Sequence, residues 1–340
     1  MNSASPPGPI VVIGEALIDR FTDARIVGGA PFNVARNLAA LGASPIMITR
    51  IGNDEEGALI LDECRQFNLS TKGVQRDSIR ATGHVDVGMC GTEHTFQIAA
   101  DAAWDMIESE AAREIVEGLE APIVCFGTLA QRTSAGHAAI GAALAHKSAS
   151  ARALRVLDLN LRAAAFDIGG GHRPITEVVE WSLSHADIVK VNDDELSQLI
   201  AWFVPAHAAD ARHWGSPAWQ AAISRLLARF PLRILIVTRG AEGYLAFDCG
   251  GTVIAEGAAC RAEVTDTVGA GDAFTSIVIL GLSLDWSWPK MLERANQFAA
   301  EVCTLRGAVS GDMAFYWTWA ERWQLANVAI ATSAVSPIHS

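Results

Sequence analysis

Short apolar runs that alternate with helical patterns constrain the fold of this 340-residue chain more than any other feature. The runs are rich in valine and isoleucine, which is typical of strands buried on both faces of a parallel sheet. The pattern therefore predicts an α/β fold, with a doubly wound, mostly parallel sheet and helices on both faces. The runs span residues 10–13, 46–49, 123–126, 154–157, 188–191 and 234–237.

One segment, residues 83–98, breaks this alternation. Its two halves alternate like strands around a turn at Gly91, Thr92 and Glu93, which predicts a β-hairpin. We interpret the hairpin as a lid over a ligand site, and an ordinary edge hairpin without such a role stays open. The length fits one large α/β domain spanning residues 1–340, with a small lid built mainly from about residues 82–100.

Composition excludes several classes of function. The chain has 38 acidic and 26 basic residues, a net charge of −12, which is the wrong sign for binding a nucleic-acid backbone. No stretch approaches the roughly 18 uninterrupted apolar residues of a membrane span, and residues 1–9 lack the features of a secretory signal. The six cysteines are far apart without a C-x-x-C pair, which favours reduced thiols over a zinc site or disulfides. We therefore expect a cytoplasmic protein without nucleic-acid or membrane partners.

The strongest chemical signal is residues 266–272, which read Asp-Thr-Val-Gly-Ala-Gly-Asp before a long apolar run. Glycines before a helix let a ligand approach the backbone, and the first-turn amides of Gly269, Ala270 and Gly271 form a predicted anion hole. Asp272 is then placed to accept a proton from a hydroxyl that attacks a phosphate. For such a motif alone, a glycine turn with aspartate as the helix N-cap remains the alternative.

A second glycine motif lies at residues 28–37. Gly28 and Gly29 allow close approach of a ligand, and Asn33 begins a polar stripe on the helix that follows. Asp19, after the first strand, is a candidate to accept hydrogen bonds from two sugar hydroxyls. Taken by itself, Asp19 also fits an ordinary turn residue.

At these motifs the sequence resembles the ribokinase and phosphofructokinase-B family of carbohydrate kinases. The two glycine segments look like the two family signatures, and residues 158–162, 192–195 and 238–243 look like the motifs between them. The matches occur in order from about residue 11 to 307. The resemblance implies a ribokinase-like fold and ATP-dependent phosphorylation of a small sugar, with Mg²⁺ bound to the nucleotide.

The resemblance also implies roles for particular residues. Those that would hold sugar hydroxyls are Asp19, Gly28, Gly29 and Asn33. Arg162 would lie near the transferred phosphate, and Asp272 would be the base. Those that would line the nucleotide site are Asn192, Thr238, Gly240, Gly243 and, beside the adenine, Asn296. Glu195 would hold the magnesium shell through water, and Asp266 matches a position that binds a monovalent cation in many relatives, so K⁺ is a further candidate cofactor.

Within the family the chain looks most like fructokinases, because of residues 14–19, 30–33, 103–105 and 158–162. Fructose is the expected substrate, and ribose, ketodeoxygluconate or a nucleoside are alternatives. Only eight residues separate Asp19 from Gly28, where many relatives place lid strands, so the lid is expected from the later hairpin, with Phe96 and Gln97 as sugar contacts. Pairing into a homodimer stays open.

Missing motifs argue against three classes of enzyme, and one other interpretation stays open. No G-x-G-x-x-G follows the first strand, which argues against a dinucleotide-binding dehydrogenase, and the P-loop and protein-kinase motifs are missing too. A sugar-binding regulator on the same fold remains a rival, because fold alone does not establish activity.

Overall fold

The computed structural model describes residues 9–90, 93–119, 123–145, 153–166, 172–207 and 214–325, with the backbone alone for residues 89, 90 and 93–96. The helices in these parts of the chain are α1 (Ala30–Ala40), α2 (Glu55–Gln66), α3 (Ser109–Glu117), α4 (Ser134–Leu144), α5 (Ile175–His185), α6 (Asp193–Phe203), α7 (Pro217–Arg229), α8 (Ala270–Ser283), α9 (Trp288–Val302) and α10 (Met313–Trp323). The strands are β1 (Ile10–Ile13), β2 (Leu17–Arg20), β3 (Arg25–Gly28), β4 (Ile46–Gly52), β5 (Val74–Asp77), β6 (Gly83–Cys90), β7 (Glu93–Ile98), β8 (Ile123–Phe126), β9 (Leu154–Asp158), β10 (Ile188–Asn192), β11 (Ile234–Thr238), β12 (Tyr244–Asp248) and β13 (Val253–Gly257).

A nine-stranded sheet forms the centre of the fold, in the order β13-β12-β11-β10-β9-β8-β1-β4-β5. The seven strands from β11 to β5 are parallel to their neighbours, and β12 runs antiparallel to both β11 and β13. The predicted doubly wound, mostly parallel sheet is thus confirmed. The six apolar runs of the sequence are β1, β4, β8, β9, β10 and β11.

Helices cover both faces of this sheet, because alternate side chains of each strand point to opposite faces. In β1, Val11 and Ile13 pack in one apolar cluster with helices α3 to α7. Ile10 and Val12 belong to the other cluster, which contains side chains of α1, α2, α8, α9 and α10. This double burial explains why the strands read as unbroken apolar runs.

A second sheet of four strands, in the order β3-β2-β6-β7, lies apart from the large one. Strands β2 and β6 are parallel, and the two outer pairs are antiparallel. The hairpin of residues 83–98 supplies β6 and β7. The other half of the sheet, β2 and β3, comes from residues 17–28, although the short interval between Asp19 and Gly28 predicts no lid strands there. Leu17, Val85 and Val87 form a small apolar cluster on one face.

Across the described ranges, no helix is both long and apolar enough to span a bilayer. The five cysteines whose side chains the structure describes are all free thiols.

Candidate active site

The sheet order creates a crevice at the carboxyl ends of its strands. From β1 the chain builds outward through β4 and β5 on one side, and later from β8 to β13 on the other. In open α/β sheets, ligands bind at such a reversal of strand order. A small cavity lies there, and its lining includes Glu15, Thr128, Asp158 and Asn160. Helix α1 begins beside this crevice, since Ala30 and Pro31 line the same cavity.

Helix α8 begins with a backbone that requires glycine. Its N-cap, Gly269, has a φ of 80°, and a β-carbon there would lie 2.4 Å from the Cα of Ala308. The amide of Ala270 donates a 3.3 Å hydrogen bond to the carbonyl of Thr267. This bond occupies the Ala270 amide, one of the three predicted donors. The first-turn amides that follow it have no partner earlier in the helix, so they are the donors that this turn offers to an anion.

Asp272, in the first turn of α8, is joined directly to the other glycine motif. The Asn33 amide Nδ2 donates a 2.7 Å hydrogen bond to Asp272 Oδ2, although 239 residues separate them. Asn33 is itself buried, and its Oδ1 accepts a hydrogen bond from Arg36, whose guanidinium also donates to Glu63. The two motifs that the sequence analysis singled out therefore share one site.

The electrostatics around Asp272 suit a general base. Burial, and then the neighbouring charge of Asp158, raise the pKa of Asp272 to about 6. The hydrogen bond from Asn33 and the positive charges of Lys190 and Arg162 limit this rise. A carboxyl group with this pKa is mostly ionised at pH 7 and is a stronger base than an ordinary aspartate.

Strands β2 and β3 of the small sheet bring Asp19 to the same site. Gly28 pairs with Leu17 across the β2/β3 ladder, and a β-carbon on Gly28 would lie 2.5 Å from Asp19 Oδ2. Burial raises the pKa of Asp19 to about 6, against the positive charges of Arg36 and Arg162. The next residue, Gly29, has a φ of 102°, and a β-carbon there would meet the Glu15 carbonyl oxygen at 2.6 Å. Gly29 is thus required by its backbone, and Gly28 leaves room for the Asp19 carboxylate.

Arg162 is the exposed cation of the site. Its positive charge lowers the pKa values of Glu15, Asp19 and Asp272, which places it within electrostatic reach of all three carboxyl groups. Its side chain makes a 3.4 Å contact with the Leu161 carbonyl. Arg162 also lines an open cavity beside the small sheet together with the exposed Gln97. The side chain of Phe96, the other predicted contact in the lid, lies outside the described residues.

Glu195 is held by backbone amides at the edge of the site. Its two carboxylate oxygens accept hydrogen bonds from the amides of Leu161 (2.8 Å) and Asn192 (2.9 Å), and Asn192 Oδ1 accepts one from the Glu195 amide (2.8 Å). This capping box begins α6. Burial raises the pKa of Glu195. Within the described chain, no group of three or more histidine, cysteine or acidic side chains is placed to hold a metal.

The predicted nucleotide-site residues follow one another across the edge of the large sheet. Asn192 and Thr238 are register partners at the ends of β10 and β11. Gly243 has a φ of 91°, and a β-carbon there would meet the carbonyl of Gly257 at 1.9 Å. Asn296 Nδ2 donates a 2.8 Å hydrogen bond to the carbonyl of the next residue along, Ala258. These pairwise contacts place the residues in neighbouring positions from β10 to α9.

Two further predicted residues lie in loops. Gly240 has a φ of 48° and open space where a β-carbon would be. Asp266 binds two loop amides through its carboxylate, those of Val268 (3.0 Å) and Gly307 (3.1 Å). Asp266 thus braces the loop that leads into α8. Its role with a monovalent cation stays a prediction.

Sequence reasoning assigned no role to three buried charged residues of the site. Asp158 and Lys190 form an ion pair of 3.1 Å, and the hydroxyl of Thr275 in α8 donates to Asp158 over 2.6 Å. Glu15 is also buried, and burial raises its pKa to about 7. A lysine inside the apolar run 188–191 was the available signal, because buried charges in strands are rare.

Comparisons with known proteins agree with this geometry. Residues 10–313 match the family model described as pfkB family carbohydrate kinase. Fructokinase-2 of Oryza sativa subsp. japonica is 27% identical over 329 residues, covering 90% of this chain and 91% of that protein. The structure of a fructokinase with bound ATP from Xylella fastidiosa superposes with a TM-score of 0.74 at 22% identity, over 93% of this chain and 99% of that one. A double-mutant fructokinase from Vibrio cholerae O395, with fructose, ADP and potassium ion bound, gives 0.73 at 20% identity, over 92% and 99%. The two structural likenesses establish the fold.

Proposed function

Because this chain belongs to the pfkB family of carbohydrate kinases, we propose that it transfers the γ-phosphate of ATP to a hydroxyl of a small sugar, with fructose as the favoured acceptor. One observation carries the proposal: the 2.7 Å hydrogen bond between Asn33 and Asp272. This bond joins the start of α1 to the start of α8, which supports a shared cleft for the sugar and the base. Phosphoryl transfer requires these two parts to face one shared cleft.

Each part of the site has a role in this reaction. Asp272 takes the proton of the attacking hydroxyl, and the amides at the start of α8 stabilise the charge on the phosphoryl group. Arg162 donates to the same group as a fork-shaped cation. Asp19 and Asn33 hold the sugar hydroxyls. The small sheet acts as the lid of a single kinase domain, residues 1–340, and excludes water.

Magnesium and the nucleotide fit the remaining residues. Mg²⁺ would neutralise the β- and γ-phosphates, and Glu195 would hold it through water, which agrees with a carboxylate already fixed by two amides. Adenosine would lie along the neighbouring positions from Thr238 to Asn296. Asp266 would help to hold K⁺, and this cation would stabilise the loop before α8.

Fructose is favoured because the compared relative and both compared structures are named fructokinases. Ribose, ketodeoxygluconate and nucleosides are the alternatives. The cytoplasm is the proposed location, on the pattern of the cysteines. Whether two chains pair is left open.

The direct test is ADP release with a panel of sugars. Fructose is expected to give the highest kcat/KM, and no ADP above an ATP-only blank with any acceptor would favour a non-catalytic sugar-binding protein. Asp272→Asn is expected to lower kcat by roughly 10² to 10⁴ while ADP affinity changes little, because the amide cannot accept the proton. Asp285→Asn, at the other end of α8, is the matched control. Near-normal turnover in the Asp272 variant would refute the assignment of the base.

A further inference from the structure

A buried lysine beneath the start of α8 has no role in the reaction derived so far. Lys190 lies in the middle of β10, and its side chain is only 9% exposed. Its neighbour on the same face of the strand, Ile188, and its register partner on β11, Ile236, belong to the apolar cluster that includes α8. An apolar side chain would therefore suit this position for packing alone.

The ion pair of Lys190 is a weak source of stability. Its ammonium Nζ lies 3.1 and 3.2 Å from the two carboxylate oxygens of Asp158. Taking both charges out of water costs about as much as their attraction returns, so a buried pair often stabilises a fold no better than apolar residues would. Buried charged groups beside a cleft are instead common at functional sites.

The ammonium also touches the first turn of α8. A β-carbon on Gly271 would lie 2.8 Å from Lys190 Nζ, so the missing side chain of this glycine leaves the ammonium against the predicted anion hole. A cation at the positive end of a helix is repelled by the helix dipole. Asp158 compensates for part of this repulsion, and a bound anion would compensate for the rest.

The lysine stays charged, and a donor remains for a ligand. Burial alone would lower the pKa of Lys190, but the carboxylates of Asp158, Glu195 and Asp272 raise it above its ordinary value. An ammonium has three N–H donors, and among the described residues its only hydrogen bonds go to the two oxygens of Asp158. At least one donor is therefore left over.

We infer that Lys190 is a catalytic residue, which donates a hydrogen bond to a nonbridging oxygen of the phosphoryl group during its transfer. Asp158 is the positioning residue, because it joins the ammonium to the Thr275 hydroxyl one turn further along α8. The inference rests on the proposed phosphoryl transfer. In it, the Lys190 side chain stabilises the phosphoryl group together with the backbone amides at the start of α8.

The test compares two variants that differ only at residue 190. The double variant Asp158→Asn/Lys190→Met removes both buried charges, so no lone carboxylate is left to unfold the protein. Asp158→Asn alone keeps the ammonium and is the matched control. The double variant is expected to lose about 100-fold in kcat relative to Asp158→Asn, as for one donor of an oxyanion hole. Thermal unfolding of both variants checks the fold.

A positioning role for Asp158 has its own readout. Because the charge of Asp158 raises the pKa of Asp272 while Lys190 and Arg162 lower it, Asp158→Asn is expected to move the acid limb of kcat/KM to lower pH. A merely structural role would leave that limb in place. Equal losses of kcat in the double variant and in its control would show that Lys190 acts only through Asp158, and would overturn the inference.

Nucleotide binding separates a failure of this inference from a failure of the proposed function. In calorimetry, the double variant is expected to bind Mg·ADP within about threefold of the wild type but a nonhydrolysable Mg·ATP analogue about tenfold more weakly than the control, because one charged contact to the γ-phosphate is lost. This result does not require turnover of any sugar. Unchanged binding of the analogue together with unchanged kcat would leave Lys190 without contact to the phosphate.

Discussion

Replacing Asn33 by alanine tests the geometry of the site most directly. The change removes the amide that donates to Asp272 Oδ2 and leaves Arg36 bonded to Glu63 and to the Val27 carbonyl. Since this hydrogen bond favours the ionised form of Asp272, its loss raises the pKa of the base. The acid limb of the pH profile of kcat/KM is therefore expected at a higher pH in the variant.

The structure sets the size of this shift. A hydrogen bond to a charged group contributes about 1.5 to 3 kcal/mol, and about 1.4 kcal/mol corresponds to one pKa unit. The pKa of Asp272 starts at about 6, and a water that enters the new space replaces part of the lost bond. We therefore expect the acid limb to move up by about one unit. At pH 6 the ionised fraction then falls from about one half to about one tenth.

The measurement is kcat/KM for the best sugar acceptor at saturating Mg·ATP, by discontinuous detection of ADP between pH 5 and 9. This parameter reports ionisations of the enzyme before the sugar binds. Loss of a sugar contact would lower the whole curve equally, whereas loss of the hydrogen bond to the base moves its acid limb. Asn53→Ala, at an exposed asparagine bonded to Arg76, is the control. An acid limb within 0.3 pH units (about 0.4 kcal/mol) of the wild type would refute the reasoning.

Three further predictions concern stability. Glu15→Gln is expected to flatten the pH dependence of the free energy of unfolding in urea. Burial raises the pKa of Glu15 from 4.5 to about 7, so the wild type loses at most about 3 kcal/mol of stability as the pH rises through that window. Equal pH slopes in the variant and the wild type would contradict this. Gly269→Ala should lower the unfolding temperature more than Gly240→Ala, because both glycines have positive φ but only the first faces a close backbone; similar shifts would argue against the close approach. Asp105→Asn should lower the free energy of unfolding by about 3 kcal/mol or more, because Arg132 is fully buried and binds both oxygens of that carboxylate. A loss below about 1 kcal/mol in urea unfolding would contradict this.

Local patterns in the sequence were sufficient for the large sheet and for the two glycine motifs. A strand covered by helices on both faces must be apolar on both, so β1 and β10 could be recognised from their own residues. Glycine before a helix is likewise a local requirement, since Gly269 needs a positive φ wherever the helix packs.

The strands of the small sheet could not be read in the same way. Strands β2 and β3 have four residues each and are half exposed at their outer ends. Such short strands give no clear apolar alternation, and the pairing of β2 with β6 depends on a segment more than 50 residues away.

Only the tertiary structure decided which polar side chains meet. Asn33 and Asp272 are separated by 239 residues, and Asp158 and Thr275 by 117. These contacts follow from the order of strands in the sheet, which brings the ends of β1, β9 and β10 and the start of α8 to one crevice. The sequence by itself determined the chemical groups, because each residue type fixes its donors and charge. Their distances, burial and shifted pKa values arise from packing, because these depend on neighbours that are remote along the chain.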